Sequence, residues 1–397
     1  MMRVIFVDDE PNILSGLRRM LRPLRHEWEM LFAEGALEAL EMMAEAPVDI
    51  VVSDMRMPEH DGAYLLSEVR RLYPGTARII LSGHSEQEST IRSIASAHQF
   101  LAKPCDADTL RETVLRTSKL RNLMQDGELR KITSEIGQLP SVPSVYAALN
   151  QEMAKEDPDM PKVAEIIAED MAMSAKILQL VNSAFFGLRR SVSSIQHAVT
   201  YLGLDVIRSL VLSQSAFRMF DQERSVISAE QLSRRGQRTA SLARTIAKQM
   251  TDNAVEVEES FQAAMLHELG KLILAGEIPE RFEAVQNAVA DGAARIDAER
   301  QVLGVTHGEI GAYLLGLWGL SDGIVEAIAF YAEPQKTPVT GFAPIVALHV
   351  ARALHDELHD DGELTLDEDW LQSLGFGEHL AQWRENALKL FETRNAA

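Results

Sequence analysis

An α/β domain built on a five-stranded parallel sheet, followed by an all-α region, is the fold that this sequence predicts. Three observations carry the prediction. Over residues 1–120, short apolar runs alternate with stretches of helical periodicity, the rhythm of a parallel sheet with right-handed crossovers. One run, Ile50-Val51-Val52, is β-branched and continuous, as a strand buried on both faces must be, and it ends abruptly in Asp54. After Leu139-Pro140-Ser141-Val142-Pro143 the strand signals vanish, and successive amphipathic helices follow.

Taken in order, the first part predicts strands over 3–8, 29–33, 49–54, 78–82 and 99–103, and helices over 11–21, 37–44, 63–72, 87–97 and 106–120. Leu110, Val114, Leu120, Leu123, Met124, Leu129, Ile132 and Ile136 continue a helical spacing beyond the last of these. This gives a linker helix over 121–135, a candidate signalling or dimerising element. The helices of the second part are broken at Pro158, Gly187, Gly203, Gly276, Gly292 and Pro334. After them come a further helical run over 345–358, an acidic loop at Asp360-Asp361-Gly362-Glu363, and a last helix over 380–391. The expected divisions are therefore 1–120, 121–135, 136–335 and 336–397.

The composition, 46% hydrophobic and 25% charged residues, is that of ordinary globular protein. No apolar run approaches the roughly 20 residues of a membrane span, and the N-terminal stretch is too short and too quickly acidic for a signal peptide. A cytoplasmic location without membrane association is the expectation. The single cysteine, Cys105, has no cysteine partner, which fits a reducing compartment. The net charge of −20, from 39 basic against 59 acidic residues, disfavours nucleic acid as a partner. The densest basic group, Arg234, Arg235 and Arg238, reads as a solvated helix face.

Chemistry concentrates at the ends of the predicted strands. Asp8 and Asp9 follow Val4-Ile5-Phe6-Val7, and Asp54 follows Ile50-Val51-Val52, so three carboxylates share one sheet edge. Such a cluster becomes favourable around a hard divalent cation, and Mg²⁺ is the natural choice. Ser82 ends the fourth strand, and Lys103, followed by Pro104, ends the fifth. A carboxylate nucleophile, a metal, a hydroxyl and an ammonium are the parts for phosphoryl transfer to an aspartate.

On these five positions, residues 1–120 resemble a response regulator receiver domain, which implies a flavodoxin-like fold. The resemblance implies that Asp54 is the phosphoacceptor and that Asp8 and Asp9 hold Mg²⁺ with Asp54 and the backbone carbonyl of Arg56. It further implies that Ser82 reads the phosphoryl group, that Lys103 pairs with it, and that Phe100 is the switch aromatic partnering Ser82. Met57-Pro58, Asp61-Gly62 and a cis Lys103–Pro104 peptide belong to the same pattern. A sensor histidine kinase or phosphotransfer protein is the implied phosphodonor.

The second part carries Leu139-Pro140-Ser141-Val142-Pro143, Asn182-Ser183-Ala184-Phe185-Phe186-Gly187, Ala198-Val199-Thr200-Tyr201-Leu202-Gly203-Leu204 and His267-Glu268-Leu269-Gly270-Lys271 in order. It resembles an HDOD domain, an all-helical relative of the metal-dependent HD phosphohydrolases that generally lacks their full ligand set. Against the His, His-Asp pair and Asp of an HD site, this chain aligns Arg235, His267 with Glu268, and Arg352. Cations at two ligand positions argue against a metal. His307 is a further candidate ligand, and Phe330-Tyr331 stands where one HD branch has paired histidines. The expected function is a response regulator whose phosphorylation at Asp54 controls a non-catalytic, partner-binding HDOD output. The alternatives are an HD-type phosphohydrolase using His267, Glu268 and His307, acting on a cyclic dinucleotide, and nucleotide or nucleic-acid binding without turnover.

Overall fold

The computed structural model describes residues 1–82, 96–120, 127, 132–133, 136, 139–155, 157–182, 192–212, 217–219, 227–359 and 363–395. The apolar runs of the first part become strands β1 (Met2–Val7), β2 (Trp28–Ala33), β3 (Ile50–Asp54), β4 (Ala77–Ser82) and β5 (Gln99–Ala102). They form one parallel sheet in the order β2-β1-β3-β4-β5. Val4 to Val7, Ile50 to Val52 and Ile79 to Leu81 are buried throughout, which is why they do not alternate with polar residues. The crossovers contain helices α1 (Pro11–Met20), α2 (Ala36–Glu45) and α3 (Gly62–Leu72), and α4 (Ala107–Leu120) follows β5. The helix expected over 87–97 falls, apart from its last two positions, outside the described residues. Most of the linker over 121–135 and the Ser183–Gly187 part of the second motif also fall outside them.

Strand order reverses between β1 and β3, and the register pairs Val7 with Ser53, Asp54 with Leu81, and Ser82 with Ala102. The carboxyl ends of these strands therefore meet on one edge, where open α/β sheets bind ligands.

The second part consists of α5 (Pro143–Met153), α6 (Met160–Ala168), α7 (Met171–Val181), α8 (Ile195–Leu212, broken at Gly203), α9 (Ala229–Met250), α10 (Ala254–Leu266), α11 (Leu269–Glu277), α12 (Pro279–Ala290), α13 (Arg295–Leu303), α14 (His307–Leu317) and α15 (Asp322–Phe330). Helices α16 (Pro344–His359), α17 (Glu368–Ser373) and α18 (Leu380–Asn395) close the chain. Helices α9, α10 and α16 pack on one another at the centre. The second part is helical as expected, with one addition. Strands β6 (Leu139–Ser141) and β7 (Phe217–Met219) pair in parallel. Leu139 and Ser141 are fully buried, so their main-chain groups need partners that water cannot supply. The buried Asp170 caps α7 at Met173 N and also accepts hydrogen bonds from Ser141 Oγ (2.7 Å) and Val142 N (2.6 Å). The first motif of the helical half is thereby pinned to α7.

The two parts meet through α4. Leu120 fills the space left by Gly316 on α14, where a Cβ would overlap it. Arg116 pairs through Nε with Asp322 Oδ1 at 2.7 Å and donates through Nη1 to Gly319 O at 3.4 Å.

Candidate functional site

The sheet edge brings together the residues that the strand ends promised. Ligand oxygens of Asp8, Asp9 and Asp54 all lie within 4.8 Å of one another. Among the described residues, this is the one group of three or more His, Cys, Asp or Glu side chains with ligand atoms so converged. Hard oxygen donors at this separation suit a single small divalent ion. Asp8 is almost fully buried, Asp9 half-buried, and Asp54 is 8% exposed at the end of β3.

Lys103 Nζ reaches between two of these carboxylates, 2.8 Å from Asp8 Oδ2 and 2.5 Å from Asp54 Oδ1. Burial pushes the Asp54 carboxyl above its ordinary value, against the opposing pull of Lys103. Burial also disfavours the Lys103 ammonium, but its hydrogen bonds to Asp54 and Asp8 outweigh this and raise its pKa. The amine answers to two carboxylates, whereas Asp54 has one ammonium and also feels the like charge of Asp8.

The loop after Asp54 is held tightly. Arg56 N donates to Asp54 Oδ2 at 3.2 Å, Met55 N to Leu81 O, and Gly62 N to Met55 O. Asp61 caps α3 by accepting from Tyr64 N, and a Cβ at Gly62 would overlap the Asp54 carbonyl. Asp61-Gly62 is thus a cap and a close approach in consecutive residues. Ser82 is buried at the end of β4, Phe100 is buried on β5 opposite Ile80, and the Lys103–Pro104 peptide is cis.

A second polar cluster lies in the helical half. His267 and Glu268 occupy the fully buried turn between α10 and α11. Glu268 Oε1 is 3.1 Å from both Arg235 Nη1 and Lys271 Nζ, and 3.6 Å from Arg352 Nη2. The two arginines aligned with metal-ligand positions therefore point at the carboxylate of the pair. Arg235 departs from the expectation of a solvated basic face: Arg234 pairs with Glu230 at the surface, while Arg235 turns inward because a buried carboxylate needs counter-charge.

His307 stands in the first turn of α14, behind a capping box of Thr306 and Glu309. Its Nδ1 lies 2.8 Å from Glu299 and its Nε2 2.8 Å from Tyr331 Oη, so both ring nitrogens are engaged. Tyr331 meets His267 and His307 edge-on, with ring centroids 5.3 and 6.0 Å away. His267, Glu268 and His307 are neighbours of one core without forming a converged ligand set among the described residues.

Glu363 is the residue that the sequence concealed. Its Oε2 lies 2.7 Å from Lys271 Nζ, 2.8 Å from Arg352 Nη2 and 3.4 Å from Arg235 Nη1, and its Oε1 lies 2.8 Å from Arg295 Nε. In the acidic run from Asp360 it reads as a solvated loop. The signal that points inward is the excess of arginine around the His267-Glu268 turn.

Residues 4–115 match the family of response regulator receiver domains, and residues 139–334 match the HDOD domain family. The chain is a response regulator with an HDOD domain. This response regulator is 35% identical over 127 residues to the hydrogenase transcriptional regulatory protein HoxA of Bradyrhizobium diazoefficiens, covering 32% of the present chain and 26% of that protein. It is 28% identical over 212 residues to the response regulator protein PilR of Pseudomonas aeruginosa, covering 47% and 46%. The chain spans less than half the length of these curated relatives. Among solved structures, the MmoQ response regulator of Methylococcus capsulatus is 25% identical, with a TM-score of 0.50, covering 62% of this chain and 98% of that one. Among the described residues, no helix is long and apolar enough to cross a membrane.

Proposed function

We propose that this response regulator is phosphorylated at Asp54 and that the modification controls a non-catalytic HDOD output that recognises a partner in the cytoplasm. The observation that carries the reading is the convergence of Asp8, Asp9 and Asp54 around one point, with Lys103 bridging two of them. In a phosphorelay the donor is a phosphohistidine of a kinase or phosphotransfer protein. An Asp54 carboxylate oxygen attacks phosphorus, the O–P bond forms as the P–N bond breaks, and the imidazole leaves with a proton. Asp8, Asp9, Asp54 and the Arg56 carbonyl would hold Mg²⁺, which neutralises charge on the transferred group. Lys103 exchanges its contact with Asp54 for one with the phosphoryl oxygens. Ser82 donates to that group, and Phe100 follows Ser82.

For the HDOD half, Arg235 and Arg352 directed at Glu268 support recognition rather than hydrolysis. A metal brought to Glu268 would meet cations where an HD centre needs ligands. We place the functional divisions at 1–120, 121–135, 136–335 and 336–397.

The test is labelling of the full chain by a small phosphodonor in the presence of Mg²⁺. Asp54→Asn abolishes labelling, whereas Lys103→Ala impairs labelling less than it impairs the conformational response. Undiminished labelling of the Asn variant would overturn the reading.

A further inference from the structure

We propose that the helical half contains an oxyanion-binding site, filled here by the Glu363 carboxylate of the same chain, and that its exchangeable ligand is a small phosphate-bearing molecule. The inference concerns a site remote from the acidic edge and stands independently of phosphorylation at Asp54.

Four cations from four helices converge on one carboxylate: Arg235 from α9, Lys271 from α11, Arg295 from α13 and Arg352 from α16. Lys271 and Arg352 are almost completely buried, and Arg295 is 7% exposed. Cations are seldom buried in such numbers, because each pays for its lost hydration unless an anion is present. Arginine supplies a planar fork of donors that matches carboxylate and phosphate alike. Donors also remain to spare: Arg295 Nη1 and Arg352 Nε are buried without a hydrogen-bond acceptor among the described residues. A carboxylate offers two oxygens, whereas a phosphodiester offers more acceptor positions at the same single charge.

Among the described residues, the four cations are paired with four carboxylates, Glu268, Glu299, Asp356 and Glu363. Three of these side chains are 0–1% exposed, while that of Glu363 is 16% exposed. Glu363 lies on the connection between α16 and α17. Its departure removes one negative charge from an arginine-lined hole. With Glu363 in place, the cavity bordered by Arg295, His307, Tyr331 and Arg352 measures only about 10 Å³, room for no more than about one water. The site is closed by the group that imitates its ligand.

The experiment uses the full chain and inorganic phosphate, titrated calorimetrically at constant ionic strength with chloride as the balancing anion. Glu363→Ala is expected to bind phosphate saturably and at least tenfold more tightly than the native chain. Adding Arg295→Gln to that variant is expected to reverse the gain. A Glu363→Ala protein with native circular dichroism and unchanged phosphate affinity overturns the proposal, as does a gain that survives Arg295→Gln. Should Glu363→Ala lose its fold, Glu363→Gln keeps the shape and removes only the charge, and carries the same comparison. Unfolding of both would make the carboxylate an integral strut and overturn the proposal as well.

Discussion

His267 and Glu268 are adjacent in one buried turn, yet burial has opposite outcomes for them. Burial opposes ionisation of both. For Glu268 the charges of Lys271, Arg235 and Arg352 overcome it and hold the carboxyl well below its ordinary range. For His267 burial prevails, assisted by the repulsion of Arg352, and the imidazole falls to about 3. Its Nδ1 lies 2.7 Å from Ala264 O, consistent with a neutral ring that donates there. A histidine lowered from 6.5 to about 3 binds a proton in the unfolded chain before it does so in the folded one. Its stabilising contribution is fully present above pH 6.5 and is lost as pH falls towards 3. Between these limits one such group removes about 1.4 kcal/mol of stability per pH unit. His355, also lowered to about 3 mainly by burial, acts in the same sense. His267→Gln is therefore expected to flatten the acid limb of the stability profile by one proton's slope, measured by urea unfolding between pH 7 and 5. An unchanged slope would contradict a buried, neutral His267.

At the scale of elements, two helices approach each other at a glycine. A Cβ on Gly270 in the first turn of α11 would overlap the His307 carbonyl at the start of α14. Gly270→Ala must separate the helices that carry Glu268 and His307, at an expected cost of about 3 kcal/mol. Gly16 in α1 has nothing within 4 Å of its Cβ position, so Gly16→Ala is expected to gain about 0.5–1 kcal/mol. Chemical denaturation of both variants checks the pair. The contrast also marks what the sequence made legible. The receiver half could be read because its chemistry sits at strand ends, where a run of apolar residues stops at Asp54, Ser82 or Lys103 whatever packs around it. Helical periodicity shows which face of α9 is buried but not which helices face it. Arg235 therefore looked solvated, and Glu363, 128 positions further on, looked like part of an acidic loop. Strands β6 and β7 are three residues each, too short for alternation to register, and their pairing is a tertiary event.

For the whole molecule, the junction at α4 links both halves. α14 runs from His307 to the contact with Leu120, and α15 runs from Asp322, which pairs with Arg116, towards Tyr331. A shift of α4 against β5 is thus passed to two helices whose far ends border the His267-Glu268 turn. The exposed Arg116–Asp322 pair itself contributes little, below about 1 kcal/mol, so the packing of Leu120 on Gly316 is the stronger link. Phosphodonor treatment is expected to change hydrogen exchange in Ala107–Leu120 and Asp322–Phe330 together, and not in the Asp54→Asn chain. A change confined to the receiver would rule out this route. Glu363 also imposes an order in time. Arg235, Lys271 and Arg295 precede it by 128, 92 and 68 positions, so a chain leaving the ribosome carries these three cations, with Glu268 and Glu299 among them, before this carboxylate has been made. At about 5–20 residues per second, the interval from Arg235 to Glu363 lasts roughly ten seconds. During that interval the stretch already made holds one more of these cations than of their carboxylates, and the balance is reached only when residues 352–363 have been added.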